Sequence, residues 1–227
     1  MIWDGIYGYL EPMRKKEIAK LLIGFRHFRE KFYNGAPNEY NQKLQSGWQG
    51  PKTLVIGCSD SRVDPAILGS AGPGELFIVR NVANLVPPYE PEGGRHGVSS
   101  AIEFAVINLK VENVIILGHR QCGGIHALMF PKPNQNKAGG FVQKWMKIAD
   151  PARERTLALN PDADESVLWK TCELESIRTS IENLRTFPFV VEAEKERGMS
   201  IMGIYFDIEK GELLELNEQT GVFMPIA

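Results

Sequence analysis

The chain has little of what marks a secreted, membrane-spanning or nucleic-acid-binding protein. Its 227 residues include only three cysteines, Cys58, Cys122 and Cys172, a number that cannot pair completely within one chain. No positively charged start leads into a long apolar stretch ending in small residues, which is the pattern of a secretory signal. No apolar run approaches the roughly 18 residues needed to cross a bilayer. These absences predict a reducing cytoplasm, where thiols are available for metal or chemistry rather than consumed as staples. The formal net charge is only −2, so nothing global points to nucleic acid, an anionic membrane or a highly charged substrate. Internal repeats, low-complexity segments and a clear linker are missing. A nucleotide-binding G-x-G-x-x-G run is missing too: neither "GSAGPGEL" nor "GHRQCGG" has that spacing.

What is present suits one α/β domain over residues 1–227, with a helical arm over 1–45 and a core over 46–227. At 43% hydrophobic and 24% charged the composition is that of a soluble globular chain with a sizeable core. In "KKEIAKLLIGFRHFREKFYNG", Ile18, Leu21, Leu22, Phe25, Phe28 and Phe32 recur at helical intervals, with Lys and Arg opposite and Gly35 as a stop. Such a helix packs on this protein or on a twin subunit; the interrupting acidic residues weigh against a membrane surface.

From residue 51 the texture changes to short β-branched runs. "TLVIGC" ends at Cys58, "ELFIVRN" follows the turn-rich "GSAGPG", and "NVIILGH" ends at His119. Runs this short and continuous predict strands buried on both faces. Between the last two lies "SSAIEFAVINLKVEN", a helix with Ser100 and Glu103 as its capping box. This punctuation predicts a mainly parallel central sheet flanked by helices. Further on, "DESVLWKTCELESIRTSIENLRTF" reads as a helix introduced by Asp162 and Asp164, and Pro188 opens another that Gly198 stops. "SIMGIYFDIEKGELLELNE" reads as a hairpin added at the sheet edge.

Cys58 and His119 each stand where an apolar run stops. In an open parallel sheet such strand ends line one crevice, and Cys122, three residues after His119, falls within reach of it. Taken alone, H-x-x-C fits a satisfied core histidine and a small buried thiol as well as half a metal site. A third donor at another strand end favours metal: two thiolates and one imidazole suit zinc and leave its fourth position free. "CSDSR" adds Asp60 and Arg62 beside it. Asp60 has two options, to close the free position or to be held by Arg62 and accept a hydrogen bond from metal-bound water. In the second case the site is a hydrolytic or hydration catalyst. Away from Cys58, the same two residues would be an ordinary surface pair worth under about 1 kcal/mol.

"CSDSRVDP", "RNVANLVPPY", "SSAIEFAV" and "GHRQCGGI", in this order and spacing, resemble the β-class carbonic anhydrases, of the plant-like, open-site kind. The resemblance implies reversible hydration of carbon dioxide to bicarbonate and a proton by zinc-bound hydroxide, with one zinc per subunit. It implies Cys58, His119 and Cys122 as ligands and Asp60 with Arg62 as the dyad steering the hydroxide. It also implies a homodimer or dimer of dimers, with the arm embracing the partner and active sites at the interface. Gln49, nine residues before the first cysteine, stands where plant-like members bind substrate, and Val82, Leu85 and Phe104 are the apolar candidates for the pocket wall. A carbon disulfide hydrolase, or a silent zinc-stabilised scaffold with Asp60 closing the metal, would keep the same metal set.

Several departures from the family sharpen the expectation. Phe104 stands where plant-like members have tyrosine. At the positions that bind an effector bicarbonate in some members, Trp, Arg and Tyr, this chain has Val55, Arg80 and Phe206, which predicts no effector site and an open fourth position. Arg120 stands where family members usually have a small residue; it either adds positive potential for bicarbonate or points away, and the latter is expected. Cys172 reads as a core thiol, while His96 and His126 are weak candidates for a proton shuttle, and His27 has no visible role.

Overall fold

The apolar runs become strands because they are short, β-branched and covered by helices. A computed structural model describes residues 16–33, 50–92, 94, 96–131 and 140–226. The chain divides into two compact units, Met1–Gln49 and Gly50–Ala227. In the first, α1 (Lys16–Tyr33) is the predicted amphipathic helix. Phe28 stands 4.9 Å from Phe32 and 6.3 Å from Phe25, ring centre to ring centre, so its aromatic residues form one continuous stripe. Gly35 lies outside the described residues.

The second unit is built on a six-stranded sheet in the order β2-β1-β3-β4-β5-β6. Strands β1 (Thr53–Cys58), β2 (Leu76–Asn81), β3 (Asn113–His119) and β4 (Ser200–Asp207) run parallel; β5 (Glu212–Asn217) and β6 (Val222–Pro225) return antiparallel. The predicted hairpin is therefore β4 and β5, and β6 extends it by one strand that its short, exposed sequence does not announce. β1 and β3 are almost wholly buried, whereas β2 is only half-buried. That corrects the expectation for "ELFIVRN": at the sheet edge a strand has a neighbour on one side only, and an apolar run cannot reveal which strand is last.

Helices α2 (Pro65–Leu68), α3 (Gly97–Glu103), α4 (Gly123–Met129), α5 (Phe141–Met146), α6 (Asp150–Leu159), α7 (Glu165–Leu184) and α8 (Pro188–Arg197) complete the unit. Asp164 caps α7 by accepting from the Val167 N–H at 3.0 Å, and Gly198 ends α8 with φ +65°. Ser100 and Glu103 form no capping box. The helix starts three residues earlier, so the Ser100 hydroxyl lies inside it and donates to the Gly97 carbonyl at 3.0 Å. After Glu103 the chain continues as one π-helical stretch, Phe104–Asn108.

Helix α7 lies directly on the sheet. A Cβ at Gly118 would stand 2.7 Å from Ile177 Cδ1, and one at Gly203 2.8 Å from Ile177 Cγ2. The two glycines, on neighbouring strands β3 and β4, make the notch that Ile177 fills. One core cluster packs around this contact, with Leu54, Ile56, Val114, Ile116 and Tyr205; a second contains all three cysteines with Val63, Leu85, Ile125 and Met146. Among the described residues no helix is long and apolar enough to cross a membrane.

Candidate metal centre

Cys58 closes β1 and His119 closes β3, the adjacent strands at which the order β2-β1-β3-β4 reverses. Connections leaving to opposite sides at such a point open a crevice beyond the strand ends. The turn after β3 then delivers Cys122 as the N-cap residue of α4. Gln121 makes the turn tight with φ +60°. Gly124 lets α4 approach the Val82–Asn84 turn, where a Cβ would meet Val82 Cγ1 at 2.8 Å.

The ligand atoms of Cys58, His119 and Cys122 all lie within 4.8 Å of one another, and the three residues are buried. The two Sγ atoms are 4.0 Å apart. That is about twice a disulfide bond, and near the ~3.8 Å expected for two thiolates held at about 2.3 Å on one tetrahedral ion. His119 Nδ1 meets the Arg120 carbonyl at 2.8 Å. A carbonyl only accepts, so Nδ1 carries the proton and Nε2 presents a bare lone pair. That Nε2 is buried and has no hydrogen-bond partner. An orphaned imidazole nitrogen beside two thiols, with its other nitrogen fixed by a carbonyl, fits a metal ligand.

The three groups polarise one another. The hydrogen bond from Cys122 holds the Cys58 thiol far below the usual range despite its burial, with His119 helping. Cys122 shifts the opposite way, because it donates to Cys58 and is more deeply buried. Burial, the largest effect, opposes a charged His119, but the adjacent Cys58 and the Arg120 carbonyl together outweigh it and raise the imidazole.

Beside the cluster, Arg62 clasps Asp60 as a fork, Nε to Oδ1 at 2.9 Å and Nη2 to Oδ2 at 2.8 Å, while its own N–H donates to Oδ1 at 2.9 Å. These bonds hold the Asp60 carboxyl well below the usual carboxylate range. Arg62 also donates to the Gln121 side chain (3.2 Å) and carbonyl (3.1 Å), tying the loop after β1 to the turn after β3. Arg80 is engaged by the same loop: it donates to the Cys58 carbonyl (2.9 Å), the Asp60 carbonyl (2.6 Å) and Asp64 (2.8 Å).

This geometry coincides with a clear family likeness. The carbonic anhydrase family profile matches residues 53–213. Over 214 residues the chain is 36% identical to beta carbonic anhydrase 3 of Arabidopsis thaliana, covering 93% of this chain and 82% of that protein. The chain belongs to the β-carbonic anhydrases. Among solved structures, the β-carbonic anhydrase CcaA matches with a TM-score of 0.83 and 31% identity, over 93% of this chain and all (100%) of that one. A structure described among two tetrameric β-carbonic anhydrases from Sordaria macrospora matches at 0.78 and 27%, over 94% and 100%.

Against the β-carbonic anhydrase expectations, the other residues fall as follows. Val82 lines a cavity of about 550 Å³ with Val79, Asn81, His96 and Trp145 among its neighbours. Leu85 is fully buried behind the site, so it contributes packing and no open wall. Phe104 is 42% exposed and stacks on Phe77 at 5.8 Å, without lining that cavity. Gln49 lies outside the described residues. Cys172 is buried in the core, and burial pushes its thiol up to about 12. His126 pairs with Glu165 at 3.0 Å and packs edge-on against Trp169.

Arg120 packs into the protein against α7 and the β4–β5 turn. It is 8% exposed, with Glu173 at 3.6 Å, Glu209 at 3.7 Å, a bond to Ser166 of 3.1 Å and the Trp169 ring beneath its guanidinium. Glu173, which sequence reasoning missed, is 1% exposed. Its Oε1 accepts the Cys122 N–H at 2.9 Å and its Oε2 the Tyr205 hydroxyl at 2.8 Å. Trp169 Nε1 donates to the Cys122 carbonyl at 3.0 Å, so both backbone polar groups of Cys122 are tied to α7. The available signal was positional: Glu173 shares a helical face with Ile177, Ile181 and Leu184.

Proposed function

We propose that the chain catalyses the reversible hydration of carbon dioxide to bicarbonate and a proton, a carbonate dehydratase reaction, with one zinc ion per subunit held by Cys58, His119 and Cys122. The observation that carries this reading is the buried, unpaired His119 Nε2 at the end of β3, gathered with one thiol from the end of β1 and one from the turn that follows β3. When bound, zinc would supply the Lewis acidity that lowers the pKa of water far below its bulk value.

The chain's own residues supply orientation. Two thiolates cancel the ion's formal charge, which leaves water less acidic than three neutral imidazoles would, so a fixed acceptor nearby gains importance. Asp60 is that acceptor. Held ionised by Arg62, it can only accept; it takes an O–H of the nucleophile and leaves an oxygen lone pair free to face the carbon of carbon dioxide. The fork of Arg62 also opposes movement of Asp60 onto the metal, which supports an open fourth position. Val82 provides apolar wall for an uncharged linear substrate, and Gln49 and Phe104 belong to the same reading as substrate contacts completed across a homodimer or dimer of dimers. The tetrameric relative supports such an assembly. A reducing cytoplasm suits the three free thiols.

Stopped-flow hydration of carbon dioxide by purified protein, with metal analysis, tests the proposal. Asp60→Asn should keep the metal and lose most activity, whereas Cys58→Ser should lose the metal. A full zinc complement with no rate above buffer between pH 6.5 and about 9 would sink the enzyme reading.

A further inference from the structure

We propose that Glu209, in the turn between β4 and β5, is a positioning residue for the Asp60–Arg62 pair and acts through Gln121. The inference rests on the hydration reading above. The Arg62 side chain is 47% exposed, so packing alone does not fix its orientation; its hydrogen-bond partners must. Two of those bonds end on Gln121, one on its side-chain oxygen and one on its carbonyl. The opposite end of the Gln121 amide donates from Nε2 to Glu209 Oε1 at 2.6 Å. A guanidinium at one end and a carboxylate at the other leave only one orientation of the amide that satisfies both.

Glu209 is itself anchored. Its N–H donates to Asp207 Oδ1 at 3.1 Å, and its second oxygen lies 3.7 Å from Arg120 Nε. Asp207 is buried at the end of β4 and faces Lys170 at 3.6 Å. A relay of alternating polarity therefore runs from the hairpin turn to the dyad: Glu209 carboxylate, Gln121 amide, Arg62 guanidinium, Asp60 carboxylate. Gln121 with φ +60° sits in the same turn as His119 and Cys122, so the relay joins the dyad to the turn that carries two of the three ligands. Removal of the outer carboxylate frees the amide to rotate, and Arg62 then loses its side-chain brace.

The test is a cycle on the intact, zinc-loaded protein. Glu209→Ala and Gln121→Ala should each lower kcat/KM about three- to tenfold, chiefly through kcat, and the double variant should be no worse than the poorer single. Glu209→Gln, which keeps an acceptor for the Gln121 N–H, should stay within about twofold of the parent. Independently of activity, arginine-selective ¹⁵N NMR should report a protected Arg62 Nε–H, identified by its loss in Arg62→Lys, that becomes broad or fast-exchanging in both alanine variants. Additive losses in the double variant, or an unchanged Arg62 signal in the alanine variants, would overturn the relay. An inactive parent protein whose Arg62 signal still responds would overturn the hydration reading and leave the relay supported.

Discussion

Glu173 gives the sharpest energetic test, because three groups depend on one buried carboxylate. Truncation in Glu173→Ala leaves the Cys122 N–H and the Tyr205 hydroxyl without their acceptor. Each stranded donor costs about 1–3 kcal/mol. It also leaves Arg120 buried with only Glu209 as a more distant counter-charge, and breaking a buried pair costs about 3–5 kcal/mol. These terms share atoms and do not add, so the total is about 3–5 kcal/mol. For a chain of this size that lowers Tm by roughly 6–20 °C at fixed protein concentration. Glu173→Gln is the control: its amide oxygen accepts from Cys122, and its NH₂ donates to the Tyr205 oxygen, so both bonds survive with one reversed. The charge facing Arg120 is lost in both variants, so the difference between them reads the two stranded donors, about 1–3 kcal/mol each at most.

The assay is thermal and urea unfolding of metal-loaded protein, followed by zinc release to a chelator. Freed from Glu173, the Cys122 backbone loses one of its two ties, and zinc affinity in the alanine variant should fall about 10–100-fold, as for other groups supporting a ligand. Zinc binding in Glu173→Gln should stay near the parent. An alanine variant within 1 kcal/mol of the parent, with unchanged zinc release, would refute the reasoning: the carboxylate would then be a passive passenger in the core.

Two further outcomes follow from the same geometry. Gly118→Ala, whose Cβ would sit 2.7 Å from Ile177 Cδ1, should destabilise by about 1–3 kcal/mol in urea unfolding; adding Ile177→Val should recover part of the loss, and no recovery would place the strain elsewhere. After chelation at about pH 8, alkylation followed by peptide mass mapping should mark Cys58 first, since the thiolate is the reactive form and Cys58 is held well below the usual thiol range. Cys172, pushed up to about 12 by burial, should react only on unfolding, and labelling of the folded protein at Cys172 as fast as at Cys58 would contradict this.

The metal cluster was legible because each part of it is announced locally. Apolar runs end on Cys58 and on His119, and a parallel sheet puts strand carboxyl ends on one side, so neighbouring strands bring distant residues together without long-range information. The Asp60–Arg62 fork is likewise local, two residues apart. The supporting contacts are different in kind. Glu173 meets Cys122 across 51 positions and Glu209 meets Gln121 across 88. A glutamate in a helix, or in a turn reading "DIEKGE", looks solvated until the facing residue is known. The half-exposed edge strand β2 and the added strand β6 are also properties of neighbours, which no single run encodes.

The four residues "HRQC" combine both kinds of information in one turn. His119 and Cys122 are ligands, legible from residue type and spacing. Arg120 and Gln121 between them are braces, legible only once α7 and the β4–β5 turn are in place. Arg120 is buried against Glu173, which in turn accepts the Cys122 N–H. Gln121 reaches Glu209 outward and Arg62 inward. Both middle residues thus converge on Glu209, at 3.7 Å and 2.6 Å, although one serves the ligand side of the site and the other the dyad side. The consequence is a separation of roles within four residues. Small side chains at 120 and 121 would preserve the donor set for the metal while removing the contacts that hold the Cys122 support and the Arg62 fork in register with each other. Substitution at Gln121 should therefore alter how well the site works before it alters whether it binds metal, whereas substitution at Arg120 acts through the Cys122 support on both.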